Sequence, residues 1–355
     1  MSCTASSFQN GASMVKALQP ARRVTRVVPE RYADGLVKRI RFRKLSRRYL
    51  DLEFATADDV GVRIVERPGR WMTSADCAAM VEELGSIVRR ALGGRDLGYG
   101  VFTGQKEPLD HTVITLVYDG ASGVPVAFNA LSLLRVPLRA RDVDVIHLGL
   151  AMVDPAFRGR GLSSVLYGLT CMLLLFRNQL RPIWMTNVSQ VPSVIGLVTE
   201  TFSNVFPSPD PRQRRSYDHL VIARSIMKHH RKVFGVSEEA AFDEQRFVVT
   251  NAYTGGSDHL KKSFAEAPHH RIDAYNQMCQ QALNYDVGDD FLQVGQIDLP
   301  AARNFLLGNM PRAWLQSLVL PLAFLLASAS LLPVLHWLSP RQPMGDVRPR
   351  LPSPT

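Results

Sequence analysis

The turn from Val153 to Ser164, read Val-Asp-Pro-Ala-Phe-Arg-Gly-Arg-Gly-Leu-Ser-Ser, limits what this chain can fold into because of what stands on either side of it. An apolar run from Val145 to Val153 enters the turn and another from Val165 to Phe176 leaves it, so the pattern reads strand, glycine-rich turn, helix. Glycines let a backbone approach a ligand closely, and the N–H groups of a first helical turn point at whatever sits there. A diphosphate suits such a cradle. The alternative is a tight strand-to-helix connection that binds nothing, and Arg158 and Arg160 weigh against it.

At 355 residues the chain can hold one large domain or two modest ones. Its net charge of +10 is concentrated early, in Arg22, Arg23, Arg26, Arg31, Lys38, Arg39, Arg41, Arg43, Lys44, Arg47 and Arg48. Such a segment suits an anionic lipid surface or nucleic acid, or stands as a solvated arm. The lipid surface is the expected partner and nucleic acid is not. The 4 cysteines, Cys3, Cys77, Cys171 and Cys279, show neither zinc-ligand nor disulfide spacing, and no metal is expected.

In chain order, residues 1–30 read as a disordered leader, with a transit peptide as an alternative, and 31–48 as the basic arm. Strands are expected at 49–54 and 60–65, then an amphipathic helix to Leu92 capped by Ser74 and stopped by Gly93 and Gly94. His111 to Tyr118 and Val124 to Val136 form a hairpin around the turn Asp119 to Gly123. A strand from Asp144 to Val153 leads into the turn and its helix. A parallel strand from Arg181 to Asn187 and a helix from Pro192 to Asn204 follow. The core domain is set at 49–235, with an extension of the soluble part at 236–311.

The segment from Leu315 to Leu338 has no Asp, Glu, Lys or Arg. Its about 24 residues match the roughly 30 Å hydrocarbon layer. Trp314 and Trp337 stand at its ends as interface anchors, flanked by Arg312 and Arg341. A membrane helix over 312–340 and a disordered tail over 341–355 are therefore expected, single-pass or peripheral, with the preceding domain on the cytoplasmic side. Pro321 and Pro333 allow a re-entrant or interfacial helix instead.

At Arg158-Gly-Arg-Gly-Leu-Ser163 the chain resembles the GNAT acyltransferase superfamily, whose acyl-CoA loop runs Arg or Gln, two residues, Gly, one residue, Gly or Ala. Arg158 and Gly161 match, and Ser163 stands where Gly or Ala is usual. The resemblance covers roughly residues 112–207. A Rossmann fingerprint is the nearest rival; it lacks the last glycine, and antiparallel strands precede the loop. The resemblance implies an α/β (α+β) fold with a mixed, mostly antiparallel sheet flanked by helices. It implies an acyl-CoA, acetyl-CoA or acyl-carrier thioester donor and an amine acceptor. It also implies that Phe157, Arg158, Gly159, Arg160, Gly161, Leu162 and Ser163 hold the pyrophosphate, and that Val153 and its strand pair with the pantetheine arm.

Acyl transfer from a thioester to an amine needs a proton acceptor for the amine, a stabilised oxyanion and a proton for the thiolate. The family places the base on or near the strand before the loop, which makes His147 and Asp144 the candidates. Their alternatives are a core histidine and a solvated strand end. Family members often protonate the thiolate from a tyrosine on the later helix, but no tyrosine lies between Pro192 and Pro207. Ser189, Ser193 or water then takes that step, or no acid is needed. Asn187 and Ser189 can bond the donor arm or cap the next helix. The stretch Tyr285 to Asp290 reads as an acidic loop first, with a metal or amine site as the alternative. The leading expectation is a membrane-associated N-acyltransferase. A short-chain acetyltransferase of a small amine or protein is the rival enzyme, and a non-catalytic protein binding anionic lipid or nucleic acid is the rival from another class.

Overall fold

The computed structural model describes residues 40–42, 49–55 and 60–306. Strands β1 (Ile40–Phe42), β2 (Asp51–Ala55), β3 (Val60–Glu66), β4 (Thr112–Asp119), β5 (Pro125–Leu138) and β6 (Arg141–His147) run as an antiparallel meander. The middle strands read as nearly unbroken apolar runs because both their faces are covered. Val113 and Val117 of β4 join one core, and Ile114 and Leu116 join the core on the opposite face.

That second core is closed by α1 (Ser74–Ala91). Its buried residues Met80, Leu84, Ile87 and Val88 recur at helical spacing, each contributing about 1.5–3 kcal/mol by burial. The cap is Thr73 rather than the expected Ser74: its hydroxyl accepts from the Asp76 N–H at 3.1 Å, which makes Ser74 the first helical residue. At the other end the Gly94 N–H returns to the Arg89 carbonyl at 2.7 Å. A short helix α2 (Lys106–Asp110) leads into β4.

The expected single strand into the turn is broken. Between the pairs Ser132↔His147 and Asn129↔Ala151, β5 spends two residues, Ala130 and Leu131, where the other chain spends three, Leu148 to Leu150. That extra residue is a β-bulge, which ends β6 and re-aims β7 (Ala151–Val153). Gly149 sits in the bulge because a Cβ there would lie 2.1 Å from the Ala130 carbonyl oxygen.

Beyond the turn, a π-helical stretch, Ser164–Leu169, runs into α3 (Thr170–Arg177). The return strand β8 (Ile183–Ser189) pairs parallel with β6 through Val145↔Trp184, Ile146↔Met185 and His147↔Thr186, as the crossover predicts. The next helix, α4 (Pro192–Thr201), stops three residues short of the expected Asn204. Ser203–Phe206 instead forms β9, whose backbone bonds the sheet. After α5 (Tyr217–His229) come β10 (Ala241–Asp243), β11 (Val248–Thr250), α6 (Asp273–Ala282), β12 (Asp290–Ile297) and α7 (Leu299–Asn304). Strand β12 lies antiparallel against all seven residues of β8, so residues beyond 236 extend the same sheet.

Among the described residues no helix is long and apolar enough to cross a membrane. The expected membrane helix at 312–340, the tail after it and the leader lie outside the described residues, as does the basic arm apart from 40–42.

Candidate active site

The bulge opens a fork in the sheet. The Leu148 N–H still reaches the Thr186 carbonyl at 2.7 Å, after which β7 follows β5 and β8 follows β12. Leu150 and Asp154 direct backbone groups to β5, in the bonds Ala130 N–H to Leu150 O and Asp154 N–H to Val126 O. By strand alternation Ala151 and Val153 direct theirs into the fork. An extended ligand arm can take up such an edge.

The glycine turn lies at the end of β7. Asp154 anchors its start by accepting the Ala156 N–H at 3.0 Å and the Arg90 guanidinium at 2.5 Å, which ties the turn to the last turn of α1. Gly159 and Gly161 hold φ of +78° and +71°, the left-handed region that glycine enters without strain. Arg158 and Arg160 are exposed, with the Arg160 guanidinium 4.5 Å over the half-buried Phe157 ring. Leu162 is buried in the core and Ser163 begins the helical stretch. Two left-handed glycines, two exposed arginines and a helix start make this turn electropositive, with backbone free of Cβ at two positions.

Of the other sequence candidates, the fork gathers some and not others. His147 stands one residue below it, buried against Phe234 at 4.8 Å between centroids, with Nδ1 3.1 Å from the Thr186 hydroxyl. Burial and the nearby His230 push its pKa down to about 3, so it stays neutral and is a poor proton acceptor. Asp144 is exposed and pairs in register with Arg135, toward the far end of β6. Asn187 donates to Gln293 Oε1 at 3.1 Å in a buried amide network that reaches Thr199 on α4. The Ser189 hydroxyl accepts the Val191 N–H at 3.1 Å, helping the chain turn into α4.

Sequence reasoning missed Tyr167 and Tyr99, and it placed Asp290 and Tyr253 in polar loops without bringing them together. The Tyr167 hydroxyl donates to the Gly149 carbonyl at 3.2 Å, reaching the fork from the α3 side. Across the sheet Asp290 opens β12, 4% exposed, and accepts the Tyr253 hydroxyl at 2.9 Å. Tyr99 lies within electrostatic reach of both Asp290 and Tyr167. Burial pushes the Asp290 carboxyl up to about 8; the Tyr253 hydrogen bond opposes this and Asp289 adds to it. Among the described residues no group of His, Cys, Asp and Glu could hold a metal ion.

These two buried groups give opposite pH dependences. Folded Asp290 keeps a proton that the unfolded chain releases between about pH 4 and 8, so stability falls as pH rises through that window. His147 stays neutral while the unfolded chain gains a proton below its ordinary 6.5, so stability falls as pH drops from there toward 3. Asp290→Asn is therefore expected to melt several degrees higher than the parent at pH 8 and to converge with it near pH 4. Melting curves across pH check this, and a difference independent of pH contradicts the assignment.

No family model and no curated protein matches the chain. Solved structures similar to it include ribosomal-protein-S5-alanine acetyltransferase from Vibrio fischeri, at 15% identity over 44% of this chain and 86% of that one, TM-score 0.29. An acetyltransferase of GNAT family from Streptococcus pneumoniae is 11% identical over 67% of this chain and 99% of that one, TM-score 0.28. At such identities neither speaks to activity. Antiparallel strands lead into a glycine-turned loop, a helix and a parallel return strand, the order of elements that the resemblance at Arg158 to Ser163 implies.

Proposed function

We propose that the chain is an N-acyltransferase that takes an acyl group from an acyl-CoA and passes it to an amine. The carrying observation is the fork between β7 and β8 with the left-handed glycine turn at its end. In this reading the N–H groups of residues 157–163 hold the pyrophosphate, and the free edges of Ala151 and Val153 bond the pantetheine arm. Tyr167 supplies the proton that the departing thiolate needs. It reaches the fork from the helix that follows the loop, where the sequence had offered only Ser189, Ser193 or water.

We further propose attachment to a membrane through residues 312–340, with the folded domain on the cytoplasmic side. The uncharged sequence from Leu315 to Leu338 supports this. So does an apolar groove of about 330 Å³ between α3 and α7, lined in part by Met172, Leu175, Phe176, Leu299 and Leu306, where the described chain ends. A greasy surface there suits a long-chain acyl donor. Thermal stabilisation by acetyl-CoA and by a long-chain acyl-CoA tests the donor: both are expected to raise the melting temperature, the long chain more. No shift with any CoA species overturns the reading. Carbonate extraction of the full chain from membranes tests the attachment, and complete release contradicts an integral tail.

A further inference from the structure

Where β8 ends and β12 begins, two polar side chains are buried, Gln190 with no side-chain hydrogen-bond partner and Asp290 held by a tyrosine hydroxyl. The register Phe291↔Ser189 brings Gln190, just past β8, opposite Asp290 at the start of β12. Gln190 is 0% exposed, and neither its side-chain nitrogen nor its oxygen has a hydrogen-bond partner. Its position is held through the backbone, where its carbonyl accepts the Tyr285 hydroxyl at 2.7 Å. Asp290 has the Tyr253 hydroxyl, and among the described residues no Lys, Arg or His forms an ion pair with it. Its neighbour Asp289, by contrast, accepts the Asn284 N–H at 3.1 Å.

Buried amides and carboxyls are normally satisfied, because leaving them unpaired costs stability. A site keeps an amide unpaired, as Gln190 is, where a ligand completes it. Leu292 and Val294 of β12 belong to the core that also holds Tyr253, so alternation puts Asp290 on that face of the sheet. Tyr99 reaches the same place from the loop before α2 and is also within electrostatic reach of Tyr167 at the fork. Tyr99 is thus a common neighbour of Asp290 and of Tyr167 at the fork.

We propose that Asp290, Tyr253 and Gln190 form the acceptor subsite, that it takes a primary ammonium group with an adjacent amide, and that Asp290 removes the ammonium proton. The Gln190 side chain offers one donor face and one acceptor face, the complement of an amide. The catalytic part rests on the acyl-transfer reading above. A bound ammonium displaces to solvent the proton that Asp290 holds in the empty site, because a cation beside the carboxyl favours its charged form. The ammonium then gives one proton to that carboxylate, and the freed nitrogen forms its bond to the acyl carbon. The carbon–sulfur bond breaks, Tyr167 gives its proton to the thiolate and is restored by the second nitrogen proton, and Asp290 returns its proton to solvent.

The test uses glycinamide, which carries both groups, and ethylamine, which lacks the amide. Saturable binding of each to the full chain is followed by chemical-shift changes without any donor, and thiol release is then measured with acetyl-CoA present. Glycinamide is expected to bind the parent and to bind at least about 10-fold more weakly to Asp290→Asn, which loses a charge-assisted bond. Gln190→Leu is expected to bring glycinamide affinity down to that of ethylamine. Asp290→Asn is expected to lower thiol release about 100-fold or more while acetyl-CoA binding is unchanged. Equal glycinamide affinity in the parent and Asp290→Asn overturns the subsite, and unchanged thiol release in that variant overturns the proton-acceptor role. If glycinamide binds as expected but acetyl-CoA does not bind the parent, the acyl-transfer reading fails and the subsite stands. Should Asp290→Asn not fold, Tyr253→Phe is measured instead, with the same drop in glycinamide affinity expected and parent-like affinity overturning the subsite.

Discussion

Replacing Gly161 by valine is expected to weaken acetyl-CoA binding by about 100-fold while leaving the fold in place. Gly161 holds φ of +71°, where a β-branched residue is a genuine outlier. Entering the left-handed region costs a substituted residue roughly 1–2 kcal/mol, so the turn rearranges instead of accepting the strain. Gly161 is exposed, so little packing is lost and the melting temperature should fall by only a few degrees. Binding suffers more, because the turn's N–H groups then point elsewhere. Each hydrogen bond to a charged group is worth about 1.5–3 kcal/mol, and losing one or two accounts for the factor. Calorimetric titration of both proteins checks it, and parent-like affinity in the variant would mean that the turn does not hold the donor.

Gly149→Ala should act on the fold itself. The new methyl would lie 2.1 Å from the Ala130 carbonyl oxygen, and both atoms are fixed to backbone, so no side chain can swing aside. Either β5 and the bulge separate, losing the neighbouring Ala130 N–H to Leu150 O bond of 3.1 Å, or the bulge is lost and the fork changes shape. Overpacking of this kind costs typically 1–3 kcal/mol, and the rigid contact puts this case at about 3 kcal/mol. The Tyr167 hydroxyl would also lose its place on the Gly149 carbonyl. Denaturant unfolding reads the stability. Gly61→Ala serves as control, since its added carbon would meet Tyr118 Cβ at an ordinary 3.5 Å. Equal stability of the two variants would sink the argument.

What could be read from the sequence followed local rules. The hairpin around Asp119 to Gly123, the glycine turn and the parallel return of β8 are each signalled by neighbours in the chain, and each is found. The bulge was marked by only one residue, Gly149, inside an apolar run that otherwise reads as continuous strand. Ser203 to Phe206 carries no helix breaker before Pro207, so local rules extend the helix to Asn204. The ladder with β12 decides otherwise, and Asn204 is accommodated at φ +53°. Tyr167 was hidden in a helix read as merely apolar. The β8–β12 ladder, ending at Phe291↔Ser189, brings together residues a hundred apart in sequence, and no local spacing announces it. His147 was chosen because imidazole titrates near neutrality, but burial removes that property.

The central claim is that the glycine turn and the fork together hold an acyl-CoA. Equilibrium titration of the purified chain with acetyl-CoA, run beside Gly161→Val, tests it most directly. Saturable binding at one site per chain, weakened about 100-fold in the variant, is the result predicted here. Absence of binding to the parent, or equal binding to both proteins, would contradict it.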